Sequence, residues 1–499
     1  MNTRKVLMLK DTVLFAAANY VAQGIGILNS FLLRNFMGPA GMGVWSVIQV
    51  ILGYCGYASL GTTRALARDY PVLRGQKNFK QADRIKNSTL TFSLVMSMVP
   101  AVLLLGFVAI QYRKLEKAFL AGLLFLSGFL FVQRFYDFLL TLLRSEKKFR
   151  ILSEQIIVNA AGGLLITVLV VRPWGIYGLY AGTALFTVCL IVFINRRNPY
   201  RFRLSWDKQV LTHELKLGLP LVLSTFLYTF LLGLDKLLLA KKMGFLGVGL
   251  YSIAMMVSNY VLSLPMIFSN VLYPNLLESY GEKKGDVSQI TGYLKKPIFT
   301  LSILVPFLCS LAFAFMPLLV ELFLKKFVGG IGSMKIYLVG SFFLLMGQFS
   351  NNFLVTIDKY LRIVPVLVAS IIINYFANQV FLDRGFGVEG VALGTCLSFS
   401  VYGISTYFLA LHAIHGTVTG IRLVIQSVLT YGTFLILIFF LDHLIVMGSS
   451  VYLALTKCFV FLLVSTPFLY YLEKREHLIS TIWSIVVNRT PFGGRGYDS

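Results

Sequence analysis

Asn19, Gln23, Ser30 and Arg34 recur along an otherwise apolar stretch at spacings of four, seven and four residues. At about 100° per residue they fall within about 60° of one another on one helix face. Thr225, Thr229 and Lys236 make a second stripe of this kind, with Asp235 beside Lys236. Ser252, Asn259, Ser263 and Asn270 make a third. A guanidinium or ammonium group in apolar surroundings holds phosphate or carboxylate oxygens through charge-assisted hydrogen bonds. A lone carboxylate such as Asp235 partners a cation or carries a proton. Hydroxyls and amides either hold a polar ligand or tie helices together. Arg64 and Arg134 add two further cations, and Asp137 lies three residues from Arg134, close enough in sequence to pair with it. Glu154 and Lys457 stand nearer the ends of their apolar stretches.

Nothing in the sequence points to covalent chemistry. It has no G-x-x-x-x-G-K-[ST] phosphate loop and no Asp-x-Asp pair. The five cysteines follow no redox or metal spacing and read as small core residues. The histidines (His213, His412, His415, His443, His477) have no cysteine or carboxylate cluster beside them, so neither a metal nor any other cofactor is expected. The Asn488-Arg489-Thr490 triplet sits in a basic tail and carries no weight.

The elements that position these side chains follow from composition. Of 499 residues, 57% are hydrophobic and 13% charged, against about half and about a quarter in soluble domains. So few charges cannot cover a water-soluble surface of this size, and so much apolar sequence excludes a disordered chain. The expected fold class is all-α, a polytopic membrane protein of about 14 transmembrane helices. The spans are expected near 12–33, 42–62, 88–111, 118–142, 151–171, 177–194, 219–240, 246–271, 297–324, 334–356, 363–382, 387–410, 423–442 and 449–471. The first is read as an uncleaved span rather than a signal peptide. Net charge is +24. Most Lys and Arg residues fall in the even-to-odd connections and the two tails, which places both termini in the cytoplasm. The densest connection carries Arg64, Arg68, Arg74, Lys77, Lys80, Arg84 and Lys86, an anchor for anionic headgroups. The charge is thus topology rather than a nucleic-acid footprint, and no nucleic-acid partner is expected.

The chain also repeats itself. Met37-Gly-Pro-Ala-Gly-Met-Gly-Val-Trp-Ser46 matches Met243-Gly-Phe-Leu-Gly-Val-Gly-Leu-Tyr-Ser252, 206 residues on. Arg172-Pro-Trp-Gly-Ile-Tyr-Gly-Leu-Tyr-Ala-Gly-Thr-Ala-Leu185 matches Arg384-Gly-Phe-Gly-Val-Glu-Gly-Val-Ala-Leu-Gly-Thr-Cys-Leu397, 212 residues on. The offset covers six spans, an even number, so two six-helix lobes are expected in parallel orientation about a pseudo-two-fold axis. The expected domains are 1–218 (N-terminal lobe), 219–411 (C-terminal lobe) and 412–499 (two C-terminal helices and a tail). The repeat maps Asn19 to Thr225, Gln23 to Thr229 and Ser30 to Lys236, so the first two stripes are one stripe used twice. The third maps to Ser46, Gly53, Tyr57 and Arg64. Polar faces on spans 1, 2, 7 and 8 are therefore expected to line a wet cavity. Gly38, Gly41 and Gly43 suit a tight turn. Gly175, Gly178 and Gly182, like Gly387, Gly390 and Gly394, share one helix face and suit close packing.

The M-G-x-x-G-x-G-x-[WY]-S turn in both halves and the G-[IV]-x-G-x-x-x-G-T segment ending each lobe carry a resemblance. The chain resembles the multidrug/oligosaccharidyl-lipid/polysaccharide exporter superfamily, and within it the polysaccharide transporter branch of Wzx-type flippases. The resemblance covers the whole chain. It implies a bacterial inner-membrane transporter, not an enzyme, that moves an undecaprenyl-diphosphate-linked oligosaccharide across the bilayer by alternating access. The implied partners are that lipid-linked substrate, the bilayer, and polysaccharide polymerase and glycosyltransferases. Arg34 and Lys236, with Arg64 and Arg134, would hold the diphosphate, helped by Asn19, Gln23, Ser30, Thr225, Thr229 and Asn259, while Asp235 would couple an ion. Two C-terminal helices beyond twelve also fit the lipid II flippase branch. A drug–cation antiporter would want carboxylates in spans 1 and 2, which have none. A membrane glycosyltransferase or polymerase would want an acidic motif or a large external loop.

Overall fold

The computed structural model describes residues 3–283 and 286–444, with isolated positions between 452 and 470. The expected fourteenth span (449–471), Lys457 and the basic tail lie outside the described residues. Among the described residues all regular structure is helical. The helices are α1 (Thr3–Cys55), α2 (Thr62–Gly75), α3 (Phe79–Gln111), α4 (Lys117–Ser145), α5 (Phe149–Ile166) and α6 (Arg172–Arg197). They continue as α7 (Lys208–Glu282), α8 (Gly292–Phe323), α9 (Ile331–Thr356), α10 (Ile363–Asp383), α11 (Gly387–His415) and α12 (Thr417–Leu444).

Among the described residues, ten stretches are long and apolar enough to cross a membrane. Three of them, Ala17–Ser59, Phe149–Arg197 and Val222–Ser263, are 43, 49 and 42 residues long. At about 1.5 Å per residue each would reach over 60 Å, twice a bilayer core of about 30 Å. Each breaks near its middle at a glycine with positive φ: Gly38 (φ 67°), Gly175 (φ 56°) and Gly244 (φ 67°). A side chain at such φ values is strained, so glycine is the residue that lets the helix reverse. Counting two crossings for each, thirteen of the fourteen expected spans lie in described helix.

The breaks follow the repeat. Gly38 and Gly244 stand 206 residues apart with nearly the same torsions, ψ being 177° and −172°. Gly175 and Gly387 stand 212 apart with φ of 56° and 58°. This corrects two expectations. Gly175 breaks α6 and Gly387 opens α11, both at positive φ, so neither shares a helical packing face with its neighbours. Gly41 and Gly43 are helical, and only Gly38 makes the turn. Close packing does hold at Gly178 and Gly182, where a Cβ would lie 2.5 Å from the Val170 carbonyl oxygen and from Ile166.

The chain resolves into two compact units, Met1–Ser252 and Ile253–Ser499. In the second, α9 is buried along nearly its whole length. It meets α11 closely enough that a Cβ on Gly403 would lie 2.2 Å from the Phe343 carbonyl oxygen. Phe342 stacks on Tyr431 of α12 at 4.0 Å, and the Tyr431 hydroxyl donates to the Val339 carbonyl at 2.8 Å. The thirteenth span is therefore built into the core of this unit.

In the first unit the end of α1 is not a simple helix terminus. After Cys55 the chain passes through a 3-10 turn, Gly56–Ser59, then Leu60 (φ 49°) and Gly61 (φ 85°), before α2 starts. The α6–α7 connection runs back beneath α3. The Arg203 amide donates to Asn87 at 3.2 Å, the Ser205 amide to Thr91 at 3.0 Å, and Arg84 pairs with Asp207. This brings the start of α7 against α2, where Val210 joins Leu66, Tyr70, Ile85 and Phe138 in one apolar cluster.

Candidate functional site

Within the first unit the arm of α7 after Gly218 lies along the second arm of α1. A Cβ on Gly233 would lie 2.4 Å from the Tyr54 hydroxyl, so this glycine makes room for a tyrosine. The hydroxyl of Tyr54 reaches the Phe230 carbonyl at 3.3 Å. One turn on, the Tyr57 hydroxyl donates to the Thr225 carbonyl at 3.1 Å and stands 2.5 Å from the Thr229 hydroxyl. Arg64, exposed at the start of α2, donates from Nη1 to Thr225 Oγ1 at 2.6 Å. Three expected site residues, Arg64, Thr225 and Thr229, therefore meet in one hydrogen-bonded cluster. Tyr57 is the hub, and sequence had marked it only as the repeat counterpart of Ser263.

This cluster borders a cavity of about 550 Å³ whose lining includes Gln49, Gly53, Tyr57, Arg64, Gln133 and Asp137. The Asp137 carboxylate accepts from Gln133 Nε2 at 2.9 Å and is otherwise open to the cavity. The expected Arg134–Asp137 pair is not among the described ion pairs. Arg134, 9% exposed, also lines this cavity but spends its hydrogen bonds elsewhere. Its Nη1 and Nη2 donate to the carbonyls of Gly56 and Cys55 at 2.9 and 3.1 Å, and its Nε to Ser97 at 3.3 Å. Those carbonyls end the broken helix, where four acceptors lack intrahelical partners and the dipole is negative. Arg134 thus acts as a cap on the break. Nothing in its sequence context signalled this, because the break itself is invisible until Gly56–Gly61 is seen to leave the helix.

Arg34 is 7% exposed. Its Nη1 donates to Ser30 Oγ at 2.5 Å and to the Ser30 carbonyl at 3.2 Å, and its Nη2 to the Ser252 carbonyl at 3.2 Å. Arg34 and Ser30 are brought together as their spacing implied. Asn19 and Gln23, farther along that face, are exposed, and the Asn19 amide donates to the Phe15 carbonyl at 2.7 Å. Asp235, 1% exposed, accepts from the Tyr251 hydroxyl and from the backbone amide of Lys236, both at 2.8 Å. Lys236 is half-buried, and Asn259 is exposed on the second unit. Glu154 pairs with Arg150 and Arg197, a tie between α5 and α6.

Two carboxylates that sequence reasoning passed over sit at the Arg64 end. Glu146, at the close of α4, accepts from the hydroxyls of Tyr70 and Tyr200 at 3.0 and 3.1 Å and pairs with Arg74 and Lys148. Burial, and then the Glu146 charge, push Tyr70 up to about 12. Glu214, in the first turns of α7, is fully buried. Burial pushes it from 4.5 to about 8. The sign of each residue's charge is legible in sequence; which loop folds back over it is not.

Against known proteins the similarities are these. The profile of a family described as polysaccharide biosynthesis protein matches residues 72–328, just over half the chain. No curated sequence matches at a significant level. Among solved structures, an inward-facing multidrug resistance MATE family transporter of the MOP superfamily superposes with a TM-score of 0.65 at 16% identity, over 81% of this chain and 95% of that one. An outward-facing structure with the same description gives 0.59 at 16% identity, over 81% and 95%. A MATE structure in the bent conformation gives 0.56 at 16% identity, over 87% and 99%. At that identity these neighbours speak for the fold alone, a bundle of many apolar helices. The chain belongs to the polysaccharide biosynthesis protein family and has the fold of the MOP exporters.

Proposed function

We propose that this membrane transporter is a flippase for a lipid-diphosphate-linked oligosaccharide, the undecaprenyl-linked repeat unit of a surface polysaccharide such as O-antigen. It would act in the bacterial inner membrane with both termini cytoplasmic. The observation that carries the reading is the Arg64–Thr225–Thr229–Tyr57 cluster bordering a cavity lined by both polar and apolar side chains. An exposed guanidinium beside hydroxyls and amides suits a diphosphate attached to sugars, since guanidinium binds phosphate oxygens two at a time. Family membership supports it from an independent side.

On this reading the diphosphate and sugars ride in the polar path while the lipid tail stays in the bilayer. Arg34, Lys236 and Arg64 attract the diphosphate. The lobes 1–218 and 219–411 alternate their access around it, with 412–499 appended. Asp235 is the first coupling carboxylate to test. With no nucleotide loop in the sequence, the drive is an ion gradient or the membrane potential, about 2.3 kcal/mol per charge per 100 mV. Polymerase and glycosyltransferases are the enzymes that would use and supply the substrate. The test is complementation of a flippase-deficient strain, scored by accumulation of lipid-linked intermediate. Full relief by the wild type and loss of relief in Arg64→Ala is the expected result. Accumulation unchanged by the wild-type chain rejects the assignment. A second reading, exchange of a cationic drug, is favoured by one observation, the Asp137 carboxylate open to the cavity. Drug resistance that depends on Asp137 would select it.

A further inference from the structure

Glu214 belongs to none of the polar stripes and takes no part in the proposed substrate path. It is fully buried, and its Oε2 has no hydrogen-bond partner. Its Oε1 lies 2.6 Å from Thr89 Oγ1, which also lies 2.8 Å from the Ile85 carbonyl. Thr89 has a single hydroxyl proton. Given to the Ile85 carbonyl, that proton leaves two oxygens facing each other at 2.6 Å, and only a proton on Glu214 joins them. Thr89 can give its proton to only one of these acceptors at a time, so an ionised Glu214 takes it from the Ile85 carbonyl, whereas a neutral carboxyl that donates to Thr89 lets Thr89 donate to Ile85 and leaves both served.

The charged groups around it agree. On α2, Asp69 faces Glu214 and is held by Arg68 at 3.8 Å and His213 at 3.0 Å. On α3, Lys86 is taken by Asp83 at 2.6 Å and lies over the Phe202 ring. On α7, His213 is spent on Asp69, while Lys216 is exposed. Arg84 is spent on Asp207. No cation pairs with Glu214 among the described residues. An ionised carboxylate there would be a buried, unpaired charge facing another negative charge, which is costly.

One helical turn on, Gly218 meets the break in the α1–α2 connection. A Cβ on Gly218 would lie 2.4 Å from the Gly61 carbonyl oxygen, and a Cβ on Gly61 equally close to that of Gly218. Whatever moves the first turns of α7 must open this contact. We propose that Glu214 is a proton-binding site, and that its proton holds the start of α7 against α2 and α3 with the Gly61–Gly218 contact closed.

Ionisation is resisted only in the closed form. Burial pushes the closed carboxyl up to about 8, against an ordinary 4.5 when exposed. Opening should therefore grow about tenfold per pH unit between these values and level off above about pH 8. Hydrogen exchange by mass spectrometry on the full-length protein in lipid nanodiscs, over peptides spanning 208–220 and corrected for intrinsic rates, measures this directly. The wild type should show that rise and plateau. Glu214→Gln, which mimics the protonated form, should stay protected and flat. Asp69→Asn, which removes the facing charge, should start the plateau at lower pH. The same profile in wild type and Glu214→Gln overturns the proposal, and so does a flat wild-type profile with no variant needed. The readout is conformational and independent of the substrate.

Discussion

At the scale of single residues, the basic side chains that share one sequence signal divide into different occupations. Arg34 and Arg64 lie on polar helix faces, whereas Arg134 is consumed by the carbonyls of a broken helix. Arg64→Ala is expected to cut export at least tenfold with normal membrane abundance and melting temperature, whereas Arg34→Ala, which also leaves the buried Ser252 carbonyl unmet, is expected to lose export and some stability together. Arg134→Ala is expected to cost about 1–3 kcal/mol of stability by leaving buried acceptors unmet. Thermal unfolding in detergent separates Arg64 from Arg134. Glu146→Ala removes an acceptor shared by two tyrosines, an arginine and a lysine. The loss should be roughly 2–3 kcal/mol, the cations being partly exposed and so discounted. The face that carries Ser30 and Arg34 was legible because helical spacing is a one-dimensional code. Glu146 was not, because Tyr200 reaches it from 54 residues on, and Glu214 was not, because Thr89 and Asp69 face it from helices more than a hundred residues earlier.

At the scale of helices, glycine decides where the chain turns and where it touches. The positive φ of Gly38 and its repeat mate Gly244 ends one crossing and begins the next. Gly38→Ala is expected to cost about 1–2 kcal/mol, the strain of a left-handed conformation with a side chain. Closer constraints lie just beyond. A Cβ on Gly43 would stand 1.7 Å from the Phe245 carbonyl oxygen, and one on Gly249 1.8 Å from that of Pro39. Gly43→Val is expected to abolish export, with limited proteolysis showing a loosened 39–55 segment; wild-type export in that variant would refute the close approach. The repeat in sequence foretold the turn at Gly38 and its mate Gly244, but at Gly175 and Gly387 the same matched motifs read as a packing face, because helical spacing alone does not show where φ turns positive. It did not foretell the break at Gly56–Gly61, whose counterpart at 262–267 stays helical.

At the scale of the whole molecule, composition, span count and family were legible before any coordinate, since a chain this apolar has few folds open to it. The proposed orientation follows from the basic connections and makes a direct prediction. Single cysteines placed at the turn 75–78 and at 112–115 should be modified by a membrane-impermeant maleimide from opposite sides, the first only after lysis of the cell. Labelling of both from one side would reverse the reading of the charge. The crossing at Gly43 and Gly249 reaches further. Pro39 and Phe245 are repeat mates, as are Gly43 and Gly249, so the two contacts are one contact made twice, with the partners exchanged. A surface that meets its own copy in this reciprocal way is what a two-fold homodimer uses. The covalent chain thus closes on itself, at the start of its second and eighth spans, by the same reciprocal handshake that joins two identical subunits.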